Sequence, residues 1–326
     1  MDSLFTKINI PSILDAQAKL IIGAPLCDYT TFQLGGFCPC LIECQTPIQL
    51  KSVISALAKE KMDFLLIGGG SNLLVSDQGI DQIVIRYLSD IPAIEHTGDE
   101  LAVTGSTLLD HLAIFAAENG LEGLGFASGI YGTVGGAIVG NAGAFGKQIG
   151  DSLKSVVLMD RLGNTREVKA DQMGFSYRHS NLKETGEVVV SARFKLKVFA
   201  PEGLLKERQE ILETRRQKHP DVKTYPSAGS FFRNIEPTSS AGRRQAAGWF
   251  LEQAGAKEMR ANGAAVFEKH ANIIIKAGTC TSQDVFDLAV RMKQAVKEKF
   301  GFDLIREVRL VGTFNGMPAS VREVIW

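Results

Sequence analysis

Histidine and cysteine are scarce in this chain, five of each in 326 residues, and neither is grouped as a metal site requires. His96, His111, His179, His219 and His270 are scattered, without the i,i+4 spacing of a helix-borne zinc site. Cys38, Cys40 and Cys44 share one segment, but no second Cys/His cluster completes a site, so no metal is expected. They read as reduced thiols of a cytoplasmic protein. No P-loop lysine follows the glycines after the first strand, and their spacing is not the G-x-G-x-x-G of a Rossmann turn. No G-x-S-x-G nucleophile elbow occurs. Lys+Arg and Asp+Glu each number 36, so there is no global pull toward nucleic acid or an anionic membrane. No run approaches the roughly 20 apolar residues of a membrane span. The N-terminus lacks the basic head and apolar run of a signal peptide. With 45% hydrophobic and 22% charged residues, the expectation is a cytoplasmic, monomeric globular protein of about two domains.

What the chain does have is glycine, in two concentrated runs. In Phe64-Leu-Leu-Ile-Gly-Gly-Gly-Ser-Asn-Leu-Leu-Val75 an apolar strand delivers the backbone to Gly68, Gly69 and Gly70, with Ser71 and Asn72 at the rim. Glycine tolerates positive φ and lets a ligand reach bare backbone. Successive N–H groups there can form a nest for an anion, most often a phosphate. One triplet alone is as well explained by a tight strand connection. Residues 123–150 add a second, longer glycine-rich surface, and two such walls suggest a long phosphate-bearing cofactor lying between them.

Around these walls the chain reads as mixed α/β. Thr46-Pro-Ile-Gln49 is a capping box opening a helix with Leu50, Val53, Ile54 and Leu57 on one face. Strands are expected at Cys40–Gln45, Phe64–Ile67, Ile83–Arg86, Leu101–Thr104 and Val188–Val198, with a hairpin over 156–168. Thr107 is placed as the cap of a helix ending at Gly120, and a short helix of small residues is expected near Thr133–Val139. A compositional break at Ala200-Pro-Glu-Gly203 sets the domain boundary near 199–203. Beyond it come helices at Leu204–His219, Arg243–Ala254 and after the Thr281 cap, short strands at Ala264–Phe267 and Asn272–Lys276, and a last strand over Asp303–Val311.

Several spaced motifs, taken in order, carry a resemblance. These are Thr31-Phe-Gln-Leu-Gly-Gly36, the glycine triplet, Gly135-Gly-Ala137 with Asn141-Ala-Gly-Ala-Phe-Gly146, Tyr177-Arg-His-Ser180, Tyr225-Pro-Ser-Ala-Gly-Ser230 and Glu307-Val-Arg309. Over about residues 25–312 the sequence resembles the UDP-N-acetylenolpyruvoylglucosamine reductase (UDP-N-acetylmuramate dehydrogenase) family of peptidoglycan synthesis. The resemblance implies an α+β, mixed α/β fold. FAD, held noncovalently, would lie between two α/β subdomains at about 1–95 and 96–199. Residues 200–326 would form a substrate domain whose last strand and tail return toward the flavin. It also implies NADPH as reductant and UDP-N-acetylglucosamine enolpyruvate as substrate.

The site residues follow from the same resemblance. Arg178 and Glu307 would stabilise negative charge on the carboxylate side of the enolpyruvyl group, and Ser230 would give the proton. Cofactor contacts fall on Gly68, Gly69, Gly70, Ser71, Asn72, Gly129, Thr133, Gly135, Gly136, Ala137, Asn141 and Gly143. Substrate contacts fall on Tyr177, Arg216, Lys218, Gly229 and Asn234. Without the family, Arg178 reads as a loop guanidinium, Ser230 as a turn residue and Glu307 as one half of a Glu–Arg contact. Arg215-Arg-Gln-Lys218 likewise reads as a solvated helix end. The chain departs from the pattern at Tyr131, where proline is usual, and at Gln33, where a basic residue is usual. It also lacks the tyrosine-bearing loop after Val198 and carries an extra Ser/Arg-rich stretch over 236–247. Two other classes stay open on the residues alone. One is a flavin oxidase of the same cofactor fold, which often attaches flavin through a histidine absent from 68–72. The other is a non-catalytic nucleotide-binding module.

Overall fold

The structure, a computed structural model, describes residues 17–236 and 244–317. Strands β1 (Lys19–Pro25), β2 (Phe37–Cys44), β3 (Phe64–Ile67), β4 (Leu73–Val75) and β5 (Ile83–Tyr87) open the chain, with helix α1 (Pro47–Lys59) between β2 and β3. Helix α1 begins as its sequence dictates: Thr46 Oγ1 accepts from the Gln49 N–H, and the Gln49 side chain accepts from the Thr46 N–H. Its buried face is Leu50, Val53, Ile54, Ala56 and Leu57. β2, β5 and β3 pair in parallel and β1 closes the edge antiparallel, in the order β1-β2-β5-β3. Cys40 and Cys44 point into this core, where burial pushes both thiols up to about 12.

A second sheet, wholly antiparallel, is built from β6 (Ile94–Thr97), β7 (Glu100–Thr104), β8 (Leu153–Met159), β9 (Thr165–Lys169) and β10 (Val188–Lys195), in the order β9-β8-β10-β7-β6. Helices α2 (Leu109–Glu118) and α3 (Val134–Gly140) cover it, and Leu112, Val134, Ile138, Val156 and Phe194 meet in one core. The expected cap of α2 is corrected: Leu108 holds the cap position without a side-chain bond. Thr107 Oγ1 instead accepts from the Ala93 N–H and bonds Thr104 Oγ1 at 2.9 Å, because a strand-end loop lies closer than the helix N–H groups. Strand β10 also stops short of Val198, since Lys197–Val198 leaves to pair with Leu121–Glu122.

Helix α4 (Leu182–Thr185) precedes β10 and packs into the second core through Leu182, and α5 (Pro201–Lys218) leads into the third unit. Pro201 takes the first helical position, so α5 starts three residues earlier than its hydrophobic pattern suggests. β11 (Ser227–Ser230), β12 (Arg260–Ala261), β13 (Ala264–Phe267) and β14 (His270–Lys276) form a sheet ordered β11-β14-β13-β12. Helices α6 (Ala247–Gln253) and α7 (Ser282–Phe300) pack on it through Phe250, Leu251, Val285, Leu288, Met292 and Val296. α6 is shorter than expected, and Arg243 lies outside the described residues. The last strand is shorter too: β15 (Arg309–Val311) pairs in parallel with β4 of the first unit, and ahead of it Arg306 makes an isolated antiparallel bridge to Phe232. Phe32, Leu34 and Leu74 consequently share one core with Phe231, Phe232 and Leu310. Thr31 seals the junction, with its hydroxyl donating to the Ser227 carbonyl at 2.7 Å and its N–H to the Gly70 carbonyl.

Candidate active site

The two glycine walls touch. A Cβ on Gly68 would stand 2.5 Å from Thr133 Oγ1, one on Gly69 3.1 Å from Gly132 Cα, and one on Gly135 3.1 Å from the Gly105 carbonyl oxygen. Ser71 Oγ donates to the Tyr131 carbonyl at 2.9 Å across the same seam. Gly68 is thus kept bare by the Thr133 side chain, and Gly69 and Gly135 lie tight against backbone. Gly70 is set by the protein as well: at φ +61° its added Cβ would lie 2.0 Å from the Tyr29 carbonyl oxygen. Gly136 differs. It is exposed on α3, and a Cβ there would meet only Thr133 Oγ1, at 3.5 Å. Thr133 caps α3 by accepting from the Gly136 N–H, which fixes this bare stretch beside a narrow cleft lined by Leu66, Ile67, Gly68, Gly105 and Gly136.

Other residues expected on the cofactor have structural duties. Asn141 is fully buried at the left-handed end of α3. Its carboxamide donates to Gln148 Oε1 and to the Ser176 carbonyl and accepts from the Gly150 N–H, so its polar atoms are engaged within the protein. Ala137 is buried in the core and Gly143 sits in a short hairpin with Gln148. The Gly129 N–H donates to Asp110 at 2.7 Å. Despite burial, this bond and the two-pronged Arg208 pair hold the Asp110 carboxyl below its usual range.

The catalytic candidates converge from three distant segments. Ser176 and His179 exchange backbone hydrogen bonds, making a two-residue turn with Tyr177 and Arg178 at its corners. Arg178 takes φ +56° there, a left-handed conformation uncommon for a side chain of its size. Its Nε donates to Glu307 Oε1 at 2.6 Å. β11 loses register with β14 between Ser227 and Ser230, and Gly229 takes φ +73° with open space where a Cβ would be. Such a bulge re-aims the residue that follows it, which is Ser230. Phe231 then accepts from the Glu307 N–H at 2.8 Å, so Ser230 is one residue removed from the segment carrying Glu307. The first glycine loop joins them, because Asn72 Nδ2 donates to the Glu307 carbonyl and the Arg309 N–H donates to the Asn72 carbonyl.

The electrostatics are lopsided toward positive charge. Burial pushes the Glu307 carboxyl above its ordinary range, opposed by Arg178 and more weakly by Arg233 and Lys183. Arg233 Nε and Arg306 Nη1 are buried, and neither atom has a hydrogen-bond partner among the described residues. A site holding one reluctant carboxylate among several guanidinium groups is built to receive an anion. Of the expected substrate contacts, Tyr177 and Asn234 are together, the Asn234 N–H donating to the Tyr177 hydroxyl at 3.2 Å. Arg216 and Lys218 are not drawn in: both are exposed on the last turn of α5, with Arg216 paired to Glu213. Their neighbour Arg215 turns inward instead, donating to the Ser128 and Phe126 carbonyls.

Sequence reasoning passed over three residues here. Asn272 donates to the Phe232 carbonyl and accepts from its N–H, fixing the segment after Ser230. A lone asparagine in the otherwise apolar run Ala271–Ile275 was its only signal. Arg244, from the extra Ser/Arg-rich stretch, lies over the Tyr177 ring at 4.0 Å from its centroid. Residues 237–243 of that stretch lie outside the described residues. Lys183 donates to the Arg178 carbonyl.

Known proteins resemble this chain over most of its length. Residues 220–311 match the model of the UDP-N-acetylenolpyruvoylglucosamine reductase C-terminal domain, and residues 38–169 match an FAD binding domain. The reductase of Caldanaerobacter subterraneus subsp. tengcongensis is 36% identical over 296 residues, covering 91% of this chain and 95% of that protein. This chain belongs to the UDP-N-acetylenolpyruvoylglucosamine reductase family. The Clostridioides difficile member is 35% identical over 305 residues, covering 94% of this chain and 97% of its own. The crystal structure of the Thermus caldophilus family member superposes with a TM-score of 0.73 at 31% identity, covering 90% of this chain and 98% of that one. Mixed α/β architecture with an FAD-binding region and a C-terminal family domain is thus the fold of the chain.

Proposed function

We propose that this chain reduces UDP-N-acetylglucosamine enolpyruvate to UDP-N-acetylmuramate in peptidoglycan precursor synthesis, with FAD as cofactor and NADPH as reductant. The observation that carries the reading is the Arg178–Glu307 contact at 2.6 Å, one residue away from Ser230. A flavoprotein that only bound nucleotides would have no use for a guanidinium, a buried carboxyl and a serine hydroxyl meeting from three segments. The seam beside Gly136 has the width of bare backbone and suits a long flat cofactor; Gly68, Gly69, Gly70, Ser71, Asn72, Gly129, Thr133, Gly135 and Gly136 form or support it. With no histidine in residues 68–72, FAD is held there noncovalently.

Bound FAD supplies the hydride that NADPH brings. Everything else falls to the chain. Hydride arriving at the vinyl carbon of an enol ether sends the electron pair toward the adjacent carbon and its carboxylate. Arg178 holds that growing charge through its guanidinium, and the Glu307 carboxyl, raised in pKa by burial, orients that guanidinium by accepting from its Nε. Ser230 Oγ then gives its proton to the carbon, the new C–H bond completing the saturated lactyl ether. Ser230 is partly exposed, so its proton is replaced from solvent. Tyr177, Gly229 and Asn234 line the approach of the sugar nucleotide, and Arg216 and Lys218, exposed at the end of α5, would have to turn toward its diphosphate to reach it. NADPH and nucleotide sugars are cytoplasmic pools, which puts the work in the cytoplasm; each subunit carries a whole site, so a monomer suffices. No helix among the described residues is long and apolar enough to cross a membrane.

The test is product formation. Purified protein given NADPH and the enolpyruvyl sugar nucleotide without oxygen should yield a product two hydrogens heavier than the substrate. NADPH oxidation that needs oxygen and ignores the sugar nucleotide would replace this reading with an oxidase.

A further inference from the structure

Lys183 is a lysine in an expensive place. It is the second residue of α4, and among the described residues no carboxylate pairs with it at ion-pair distance. The charges of Arg233 and Arg309 act against it, while those of Glu307 and Glu184 act in its favour. A half-buried ammonium in the field of two guanidinium groups is unfavourable, and an apolar side chain of the same length would avoid that cost. What the lysine provides is one charge-assisted hydrogen bond, from Nζ to the Arg178 carbonyl at 2.7 Å.

That carbonyl belongs to the strained corner of the turn. Arg178 at φ +56° is left-handed, a conformation that persists in a non-glycine residue only when its surroundings impose it. Three bonds impose it here. Asn141 Nδ2 holds the Ser176 carbonyl at 2.8 Å, Ser180 Oγ holds the Val139 carbonyl at 2.8 Å, and Lys183 holds Arg178 itself. Relaxing the corner into the ordinary right-handed region would rotate the Arg178 side chain off Glu307.

We infer that Lys183 is a positioning residue for the reductase reaction: its bond to the Arg178 carbonyl locks the left-handed corner and so sets the Arg178 guanidinium against Glu307. The inference rests on the proposed function for its kinetic consequence, not for its geometry. Burial, reinforced by Arg233, lowers the Lys183 pKa to about 8. The lock is therefore mostly charged at neutral pH and loses its charge assistance as pH rises through about 8.

The experiment compares Lys183→Met and Lys183→Arg with the parent, all as FAD-loaded protein. Lys183→Met should lower kcat about 10- to 100-fold, the scale of a misplaced catalytic group, with KM and FAD content changed little. Its melting temperature should not fall, since a half-buried unpaired charge is gone. The parent's loss of kcat above pH 8 should be absent from this variant. Lys183→Arg, which keeps donor and charge, should recover most of the rate and move the alkaline loss upward. Parent-like kcat in Lys183→Met, or an unchanged alkaline limb, overturns the inference. If the parent itself does not reduce the enolpyruvyl substrate, the functional reading fails separately. A crystal structure of Lys183→Met then decides the geometric claim: Arg178 should leave the left-handed region and its contact with Glu307 should open, and retention of both would refute it.

Discussion

Gly136 separates the demands of the fold from those of the cofactor. It occupies the exposed side of α3, its φ is not positive, and an added Cβ meets nothing closer than Thr133 Oγ1 at 3.5 Å, an ordinary contact. In the protein without FAD, Gly136→Ala should therefore stabilise, because glycine inside a helix is less favourable than alanine by up to about 1 kcal/mol. For a chain of this size that is roughly 1–3 °C in melting temperature. Gly136→Leu retains most of that helix preference but projects a full side chain over the seam. If the cofactor lies there, the crowding is of the kind that costs about 1–3 kcal/mol, or one to two decades in FAD affinity. The assay is paired: melting of flavin-free protein, and FAD affinity by quenching of flavin fluorescence. The expected pattern is opposite signs, a fold no weaker and a cofactor bound progressively worse from glycine to alanine to leucine. Full FAD affinity in Gly136→Leu would show that the cofactor does not cover this seam. A lower melting temperature in flavin-free Gly136→Ala would refute the open space itself. Gly70 cannot serve for this test: with the Tyr29 carbonyl 2.0 Å from its added Cβ, any side chain damages fold and cofactor site together.

Three further outcomes are expected. Ser230→Ala should bind FAD and be reduced by NADPH at the parent rate, while turnover of the enolpyruvyl substrate falls by about two orders of magnitude; equal slowing of both halves would mark Ser230 as structural. Glu307 is raised above its ordinary pKa by burial, so its stabilisation is present at low pH and lost as pH climbs through the folded value. Glu307→Gln should accordingly be the more stable protein at pH 8, with the difference closing toward pH 4, even as its activity drops; lower stability at pH 8 would contradict the assignment. Burial and the adjacent His270 ring lower His219 to about 4 from 6.5, so stability should decline as pH falls through that window, and His219→Phe should flatten the decline measured by denaturant titration.

How far the sequence could be read depended on how far apart the partners were. The capping box at Thr46 and Gln49 is a local device, three residues long, and it forms as written. The face of α7, from Val285 to Val296, was equally legible because helical periodicity needs no distant partner. β15 was overextended for the opposite reason: its pairing partner β4 lies more than 230 residues earlier, and nothing in Asp303–Val308 says which residues that strand will reach. The α2 cap failed on competition, since Thr107 had Thr104 and Ala93 within reach and a cap rule weighs only the helix.

The glycine walls show what a pattern can and cannot say about a site. Their bareness was plain in the sequence, but bareness has two causes that look alike in one dimension. Gly68, Gly69, Gly70 and Gly135 are bare because another piece of this protein lies against them. Gly136 is bare with only an ordinary contact to Thr133 Oγ1 beside it. Asn141 is ambiguous in the same way: a polar residue inside a glycine-rich run resembles a ligand contact, and its carboxamide ties α3 to the Arg178 turn. That tie gives Asn141 a role in the chemistry at one remove. The wall that faces the cofactor, the turn that presents Arg178, and the lysine that locks the turn are joined by hydrogen bonds from Asn141 to Ser176 and from Lys183 to Arg178. The segment carrying Glu307, just ahead of β15, is in turn bonded to Asn72 of the first glycine loop and to Phe231 beside Ser230. Each catalytic candidate is thus anchored to a cofactor wall by no more than two hydrogen bonds. A change in either wall should therefore be felt as a change in catalytic geometry before it is felt as a loss of fold.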